Sequence, residues 1–135
     1  GRNARGLRRY DRAKVSAGRQ VPTHFQREPS PAVFAAGVLV CAPSDTPALF
    51  ALDATTGKML WTTHRAAAAT HLLGVAEGAV VATGSQCWSF DLATGRQNFV
   101  WPASPVAGMR GAGRGCLAGQ QIYWPTRGGI YVLSA

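Results

Sequence analysis

The most constraining feature of the sequence is a segment that occurs twice. Residues 51–61 (Ala-Leu-Asp-Ala-Thr-Thr-Gly-Lys-Met-Leu-Trp) are echoed by residues 89–99 (Ser-Phe-Asp-Leu-Ala-Thr-Gly-Arg-Gln-Asn-Phe). Both copies predict a strand, then an Asp-x-x-Thr-Gly turn, then a second strand. Internal repetition of such a unit restricts the chain to architectures in which similar units stack against one another.

The repeat extends further toward the N-terminus. Gly37, Gly78 and Gly119 are spaced 41 residues apart, and an apolar stretch follows each of them. Because glycine adopts positive φ without steric cost, each is predicted to open a tight hairpin. Strands are predicted before each glycine, directly after it, ahead of the Asp-x-x-Thr-Gly turn and after that turn. Four short antiparallel strands at a period of about 40 residues are typical of a propeller blade.

The predicted fold is therefore all-β, with antiparallel four-stranded blades of a β-propeller. We place the blades at about 31–63, 71–101 and 113–135, the third lacking its last strand. A basic arm or linker over 1–28 precedes the repeat region at 29–135. Because a closed propeller needs at least four blades, the chain is expected to be a piece of a longer protein or one subunit of a shared propeller.

The aspartates of the repeated turn have a local explanation. The carboxylate of Asp53 is expected to accept backbone N–H groups two or three residues further on, as in an Asx-turn. Gly57 is expected to take the left-handed position that ends the turn. Asp91 and Gly95 repeat this arrangement. Both aspartates are therefore interpreted as structural rather than as metal ligands or acid–base groups.

The first copy resembles the Ala-x-Asp-x-x-Thr-Gly-Lys-x-x-Trp docking motif of quinoprotein-like (PQQ-type) β-propellers. The residues assigned to this structural docking motif are Ala51, Asp53, Thr56, Gly57, Lys58 and Trp61, with Asp91, Thr94 and Gly95 in the second copy. In the second copy Ser89 replaces the alanine and Phe99 replaces the tryptophan. In that family the tryptophan packs between neighbouring blades, so the resemblance implies that Trp61 ties the first blade to the second.

The resemblance, which covers about residues 31–135, is to the non-catalytic, repeat-rich bacterial branch of that family. It implies a protein-binding or scaffold module whose partner is another protein or the remaining propeller blades. It also suggests a bacterial envelope or periplasm. The alternative is part of a PQQ- and calcium-dependent oxidoreductase, whose calcium site, Asp base and adjacent cysteines do not map onto this chain. These observations favour a non-catalytic protein over an enzyme. PQQ and calcium are expected only if the chain is part of such an oxidoreductase.

Positive charge is concentrated at the N-terminus. The chain has a net charge of +8, of which residues 1–28 carry +6. A basic arm of this kind is a candidate for contact with nucleic acid, anionic lipid or an acidic partner. The other interpretation is a solvated linker or the last element of a preceding domain. The arm contains no nucleic-acid-binding motif.

The best candidates for ligand or partner contacts lie in the glycine-rich stretch 108–127. They are two aromatic residues and three arginines: Arg110, Arg114, Tyr123, Trp124 and Arg127. These side chains are expected to line a pocket or the central channel for an anionic ligand, or to stack with one another as structural packing. A phosphate-binding loop is not expected at Gly111–Gly115, because a strand rather than a helix follows it.

The remaining reactive side chains show no site pattern. Cys41, Cys87 and Cys116 are far apart and odd in number, which favours buried free thiols over a disulfide framework. His24, His64 and His71 lack metal-ligand spacing and are assigned to loops or inter-blade packing. No catalytic residue or metal ligand is predicted. The sequence contains no apolar run of 18 residues, so no membrane span is predicted.

Overall fold

The computed structural model describes residues 25–135, so residues 1–24 of the predicted arm, with His24, lie outside the described residues. Within residues 25–135, eleven strands form three antiparallel sheets, and a single 3₁₀ turn lies at Ala107–Met109. Within residues 25–135 we find no helix with the length and hydrophobicity that a bilayer crossing requires.

Each sheet is built from strands that follow one another in sequence and pair in that order. Sheet I comprises β1 (Val33–Ala35), β2 (Val38–Cys41), β3 (Leu49–Asp53) and β4 (Met59–Thr63). Sheet II comprises β5 (Ala69–Ala76), β6 (Ala79–Gly84), β7 (Cys87–Asp91) and β8 (Gln97–Trp101). Sheet III comprises β9 (Cys116–Ala118), β10 (Gln121–Thr126) and β11 (Gly129–Ser134). The prediction of an all-β, partial propeller with antiparallel four-stranded blades is confirmed.

The first hairpin of each sheet has a two-residue loop, and the third differs from the other two. Ala36 and Gly37 have φ of +48° and +76°, and Glu77 and Gly78 have φ of +50° and +71°, which fits a type I′ turn. In sheet III, Ala118 pairs with Gln121, so Gly119 (φ +60°) occupies the first loop position instead of the second. Although the three glycines are evenly spaced in sequence, Gly119 is therefore not structurally equivalent to Gly37 and Gly78, and it lies one position earlier in its hairpin loop. Only the first position of a type II′ turn needs positive φ, which explains the shift.

The three sheets meet along their first strands, because β5 lies against both β1 and β9. Sheet II is the middle layer, and its side chains alternate between the two neighbours, as successive residues of a strand do. Val80 packs in a core shared with sheet I, whereas Val81 packs in a core shared with sheet III. All six residues of β6 are buried.

Two apolar cores hold the sheets together. The core between sheets I and II is built mainly from Val40, Leu49, Ala51, Trp61, Val80, Trp88 and Phe90. The core between sheets II and III contains Val81, Cys87, Ile122 and Trp124, with Phe99, Trp101 and Tyr131 at its margin. Trp101 packs edge-on against both Trp124 and Tyr131, with ring centroids 6.2 and 5.2 Å apart.

The outer faces of sheets I and III carry exposed apolar side chains. Phe34 and Leu60 of sheet I are 65% and 44% exposed, and Ile130 and Val132 of sheet III are 71% and 51% exposed. The pair Tyr123–Val132 occupies the strand positions that Val40–Ala51 occupies in sheet I. In sheet I that pair is buried against the next sheet. Both outer faces thus have the composition of inter-blade faces.

Candidate functional site

The repeated Asp-x-x-Thr-Gly turns are built in nearly the same way. In the first copy, the Asp53 carboxylate accepts the backbone N–H groups of Thr55 and Thr56, both at 2.9 Å. In the second, the Asp91 carboxylate accepts those of Ala93 and Thr94, at 3.0 and 2.8 Å. We refer to these as the 53–57 turn and the 91–95 turn.

These hydrogen bonds favour the charged form of each carboxylate. The backbone N–H groups of Thr56 and Thr55 lower the pKa of Asp53 below its ordinary value. The backbone N–H of Thr94, followed by its hydroxyl, lowers the pKa of Asp91 in the same direction. Each carboxylate is therefore engaged by its own turn, in agreement with the arrangement expected from the sequence.

Trp61 joins sheet I to the 91–95 turn of sheet II. Its indole Nε1 donates a buried hydrogen bond of 2.8 Å to the carbonyl oxygen of Leu92, and the side chain is only 8% exposed. The ring lies directly on Gly95, since a Cβ placed on that glycine would come within 2.5 Å of Trp61 Cδ2. We call this contact the docking junction.

The 53–57 turn carries no such contact within residues 25–135. Apart from its chain neighbours, no heavy atom of the described residues lies within 4 Å of a Cβ built on Gly57, although its φ of +74° matches the +75° of Gly95. Ala51 pairs with Trp61 and Ser89 pairs with Phe99 at the same point of their hairpins, each just before a register shift. Phe99 therefore takes the position of the docking tryptophan in sheet II, and it packs against the second core.

The five candidate ligand contacts do not form a single cluster. Trp124 is completely buried in the second core, and the hydroxyl of half-buried Tyr123 donates to Gln121 Oε1 at 3.0 Å. Arg114 Nη2 donates to the carbonyl oxygen of Leu72 at 2.9 Å and so ties sheet II to the segment before β9. Arg110 and Arg127 are exposed neighbours, joined by a backbone hydrogen bond of 3.0 Å.

Arg110 lines a cavity of about 490 Å³, which we call the Arg27 cavity. Its walls come from four segments: 25–28, 67–71, 84–85 and 110–113. Three of these segments lead toward the first strands of sheets I, II and III, which lie against one another. The cavity therefore lies where the three sheets converge, at the end of the molecule that carries the β6–β7 hairpin.

Arg27 is the most unusual residue of this cavity. It is 8% exposed, and burial lowers the pKa of its guanidinium. Nη2 donates to the carbonyl oxygen of Thr46 at 2.9 Å, while Nε and Nη1 are buried without a hydrogen-bond partner among the described residues. The ring of Phe25 lies 4.8 Å from the guanidinium carbon, a cation–π contact that offsets part of the desolvation cost.

Sequence reasoning missed the Arg27 cavity. Residues 25–28 belong to the predicted arm, and the four lining segments are far apart in sequence. The one sequence signal for this cavity is the excess of arginine over acidic residues in the N-terminal arm and in the stretch 108–127. Among the described lining side chains, Glu28 is the only acidic one, and it lies 3.4 Å from His71 Nε2.

The described residues do not fit a calcium site of the kind that a quinoprotein oxidoreductase would need. They bring together no group of three or more His, Cys, Asp or Glu side chains. The two motif carboxylates already serve their own turns. We therefore derive no chemistry through calcium or PQQ for residues 25–135.

The three cysteines are free and differ in environment. Cys87 is completely buried, and burial raises the pKa of its thiol to about 12. Burial also raises the pKa of Cys41, which is half-buried, whereas Cys116 is exposed, so the prediction of a buried thiol is wrong for Cys116. A thiol with a raised pKa is a poor nucleophile at neutral pH, so Cys87 is a packing residue.

Comparisons with known proteins agree with the architecture. A family model described as "Outer membrane protein assembly factor BamB" matches residues 7–135. No curated protein matches the chain. Among solved structures, the chain is similar to the crystal structure of BamB from Moraxella catarrhalis, with 17% identity and a TM-score of 0.58. That match covers 78% of this chain and 33% of that chain, so the chain spans about a third of its length.

Proposed function

The chain belongs to the family described as outer membrane protein assembly factor BamB, and we propose that it is a protein-binding propeller segment serving outer membrane protein assembly. The proposal places it at a bacterial envelope. The observation that carries it is the family match over residues 7–135, supported by three sheets stacked in the order of their sequence repeats.

The scaffold role that we propose uses rigid sheets to present loops. Both faces of sheet II are buried, and the docking junction fixes sheet I against it. The connecting loops and exposed arginines lie at the ends of these sheets, where surface segments meet binding partners in many folds. On this proposal the partner protein contacts the loops, and the strands hold those loops in position.

The proposal is tested in the organism that carries the gene. We expect loss of the protein to lower the abundance of outer membrane proteins, measured by quantitative proteomics of isolated envelopes. The intact gene should restore them. Trp61→Ala should restore them poorly because it weakens the docking junction, whereas Arg65→Ala, a change at an exposed loop position outside the docking motif, should restore them fully. Unchanged outer membrane protein levels after loss of the protein would contradict the proposal.

We assign no cofactor to this segment. The rival oxidoreductase function makes an opposite prediction, because a ligand that binds the folded state raises its melting temperature. On our proposal, PQQ added with calcium leaves the melting temperature unchanged. A saturable rise, together with bound-quinone absorbance, would favour the oxidoreductase instead.

The basic arm belongs to a third candidate role, contact with an anionic partner. Residues 1–24 lie outside the described residues, so the structure describes only residues 25–28 of the arm. Those four residues line the Arg27 cavity. The described end of the arm therefore lies beside the other cationic side chains of the cavity.

A further inference from the structure

We propose that the Arg27 cavity binds a carboxylate group, with Arg110 as the accessible donor and Arg27 as the buried source of positive charge. This inference goes beyond the protein-binding role and stands or falls independently of it. The ligand is defined by its chemistry, which a small organic acid and an acidic side chain of a partner protein share.

The first argument is the buried, incompletely paired guanidinium. A buried charge is costly unless it is paired and hydrogen-bonded. Arg27 makes one side-chain hydrogen bond, and two of its nitrogen atoms lack a partner among the described residues. No acidic side chain within residues 25–135 lies in ion-pair range of it, since the pair Glu28–His71 is the salt bridge observed there. The guanidinium is therefore not neutralised by a direct ion pair within residues 25–135, and it leaves positive charge in the cavity wall.

The second argument is the accessibility of Arg110. It lines the same cavity and is exposed, so its planar fork of donors is available to a ligand. Arginine is suited to carboxylates because that fork matches the two carboxylate oxygens. Arg27 is covered by Phe25, so it acts mainly through its field, which low-dielectric walls concentrate.

The third argument is the size and charge of the cavity. A volume of about 490 Å³ is in the range of small-molecule sites. Among the described lining residues, Arg27 and Arg110 carry two positive charges and Glu28 one negative charge, which leaves a formal net charge of +1. This charge favours a carboxylate over a cation or a neutral ligand.

The test is a titration of the isotopically labelled chain followed by amide NMR shifts. The probes are succinate, a capped hexaglutamate peptide and a capped hexaglutamine peptide as the uncharged control. We expect Ser85, Gly111 and Gly113 at the cavity to shift, while Gly57, in the 53–57 turn, stays in place. Binding of succinate indicates that a free acid suffices, and binding of hexaglutamate alone indicates a protein source. Failure of both probes to shift the cavity amides overturns the proposal.

Arg127 supplies a matched control. It is exposed, adjacent to Arg110 and carries the same charge, but it does not line the cavity. Loss of one hydrogen bond to a charged group weakens binding by about tenfold. We therefore expect Arg110→Ala to raise the dissociation constant about tenfold and Arg127→Ala to leave it nearly unchanged. Equal effects of the two variants would mean non-specific charge attraction and would overturn the assigned site.

Discussion

The 53–57 and 91–95 turns share a sequence pattern, an Asx-type hydrogen-bond arrangement and a glycine at the same φ. They differ in their surroundings. The 91–95 turn has Trp61 packed on Gly95 and bonded to Leu92, whereas no atom of the described residues approaches a Cβ on Gly57 within 4 Å. The turn is thus stable through local bonds alone, and it acquires a packing role only where a neighbouring sheet contacts it.

The largest effect is expected from removing the tryptophan of the docking junction. Trp61→Ala deletes a ring that is 92% buried between two sheets and leaves the Leu92 carbonyl without its donor. Truncations of this kind cost about 3–5 kcal/mol. We expect thermal unfolding to show a melting temperature lower by roughly 10–20 °C. A variant that melts within about 2 °C of the parent would contradict the docking role.

The comparison of Gly57→Ala with Gly95→Ala isolates the contact with Trp61, because both variants add the same methyl group to a glycine at positive φ. Gly57→Ala places an alanine at positive φ in open space, which costs about 1–2 kcal/mol. Gly95→Ala adds the same strain and also drives a methyl group into the Trp61 ring, at a further cost of about 1–3 kcal/mol. We expect Gly95→Ala to be clearly the more damaging of the two in chemical denaturation. Equal effects would indicate that the Trp61 ring moves away freely.

A smaller effect is expected from Trp61→Phe. This change keeps an aromatic ring, as Phe99 does at the corresponding position of sheet II, but it removes the hydrogen bond to Leu92. Leaving a buried acceptor unsatisfied costs about 1–3 kcal/mol. Unfolding in urea should therefore place this variant between the parent and Trp61→Ala. A variant as unstable as Trp61→Ala would contradict this expectation, because it would show that a retained aromatic ring contributes nothing to the junction once the hydrogen bond is lost.

The smallest effect on stability is expected from lowering the pH. The pKa values of Asp53 and Asp91 are lowered in the folded state, so both contribute stability above the ordinary value of 3.8 and lose it as pH falls through the folded values. We expect the melting temperature to decline between about pH 5 and pH 2. Asp91→Asn should flatten this decline more than Asp53→Asn, because, besides the backbone N–H of Thr94, the Thr94 hydroxyl, at 2.9 Å, and the charge of Arg96 lower the pKa of Asp91, whereas the Thr56 hydroxyl is the smallest of the causes that act on Asp53. If the melting temperatures of both variants depended on pH in the same way, the larger contribution assigned to Asp91 would be contradicted.

The features that the sequence predicted well are those with local causes. The Asp53 and Asp91 turns follow from hydrogen bonds within four residues, and the strands beside them follow from alternating apolar residues and turn glycines. The glycine spacing predicts Gly119 to be equivalent to Gly37 and Gly78, and this is wrong by one residue. A type II′ loop has its glycine one position earlier than the type I′ loops of the other two sheets. The spacing of glycines alone does not distinguish the two.

The features that the sequence did not predict depend on contacts between distant segments. Trp124 is buried because β10 turns that face toward sheet II, a matter of sheet packing rather than of local pattern. Arg114 is bonded to Leu72, 42 residues away. The Arg27 cavity likewise joins four segments whose proximity depends on how the sheets stack. Composition indicated positive charge near this region, but it did not indicate which arginine would be buried.

The most direct test of the account is a double-mutant cycle across the docking junction. Unfolding free energies are measured for the parent, Trp61→Ala, Gly95→Ala and the double variant, with Gly57→Ala as the reference for backbone strain. If Trp61 lies on Gly95, Gly95→Ala in the Trp61→Ala background should cost only about as much as Gly57→Ala, giving a coupling of about 1–3 kcal/mol. Additive costs, with no coupling, would contradict the claim that this contact joins the two sheets.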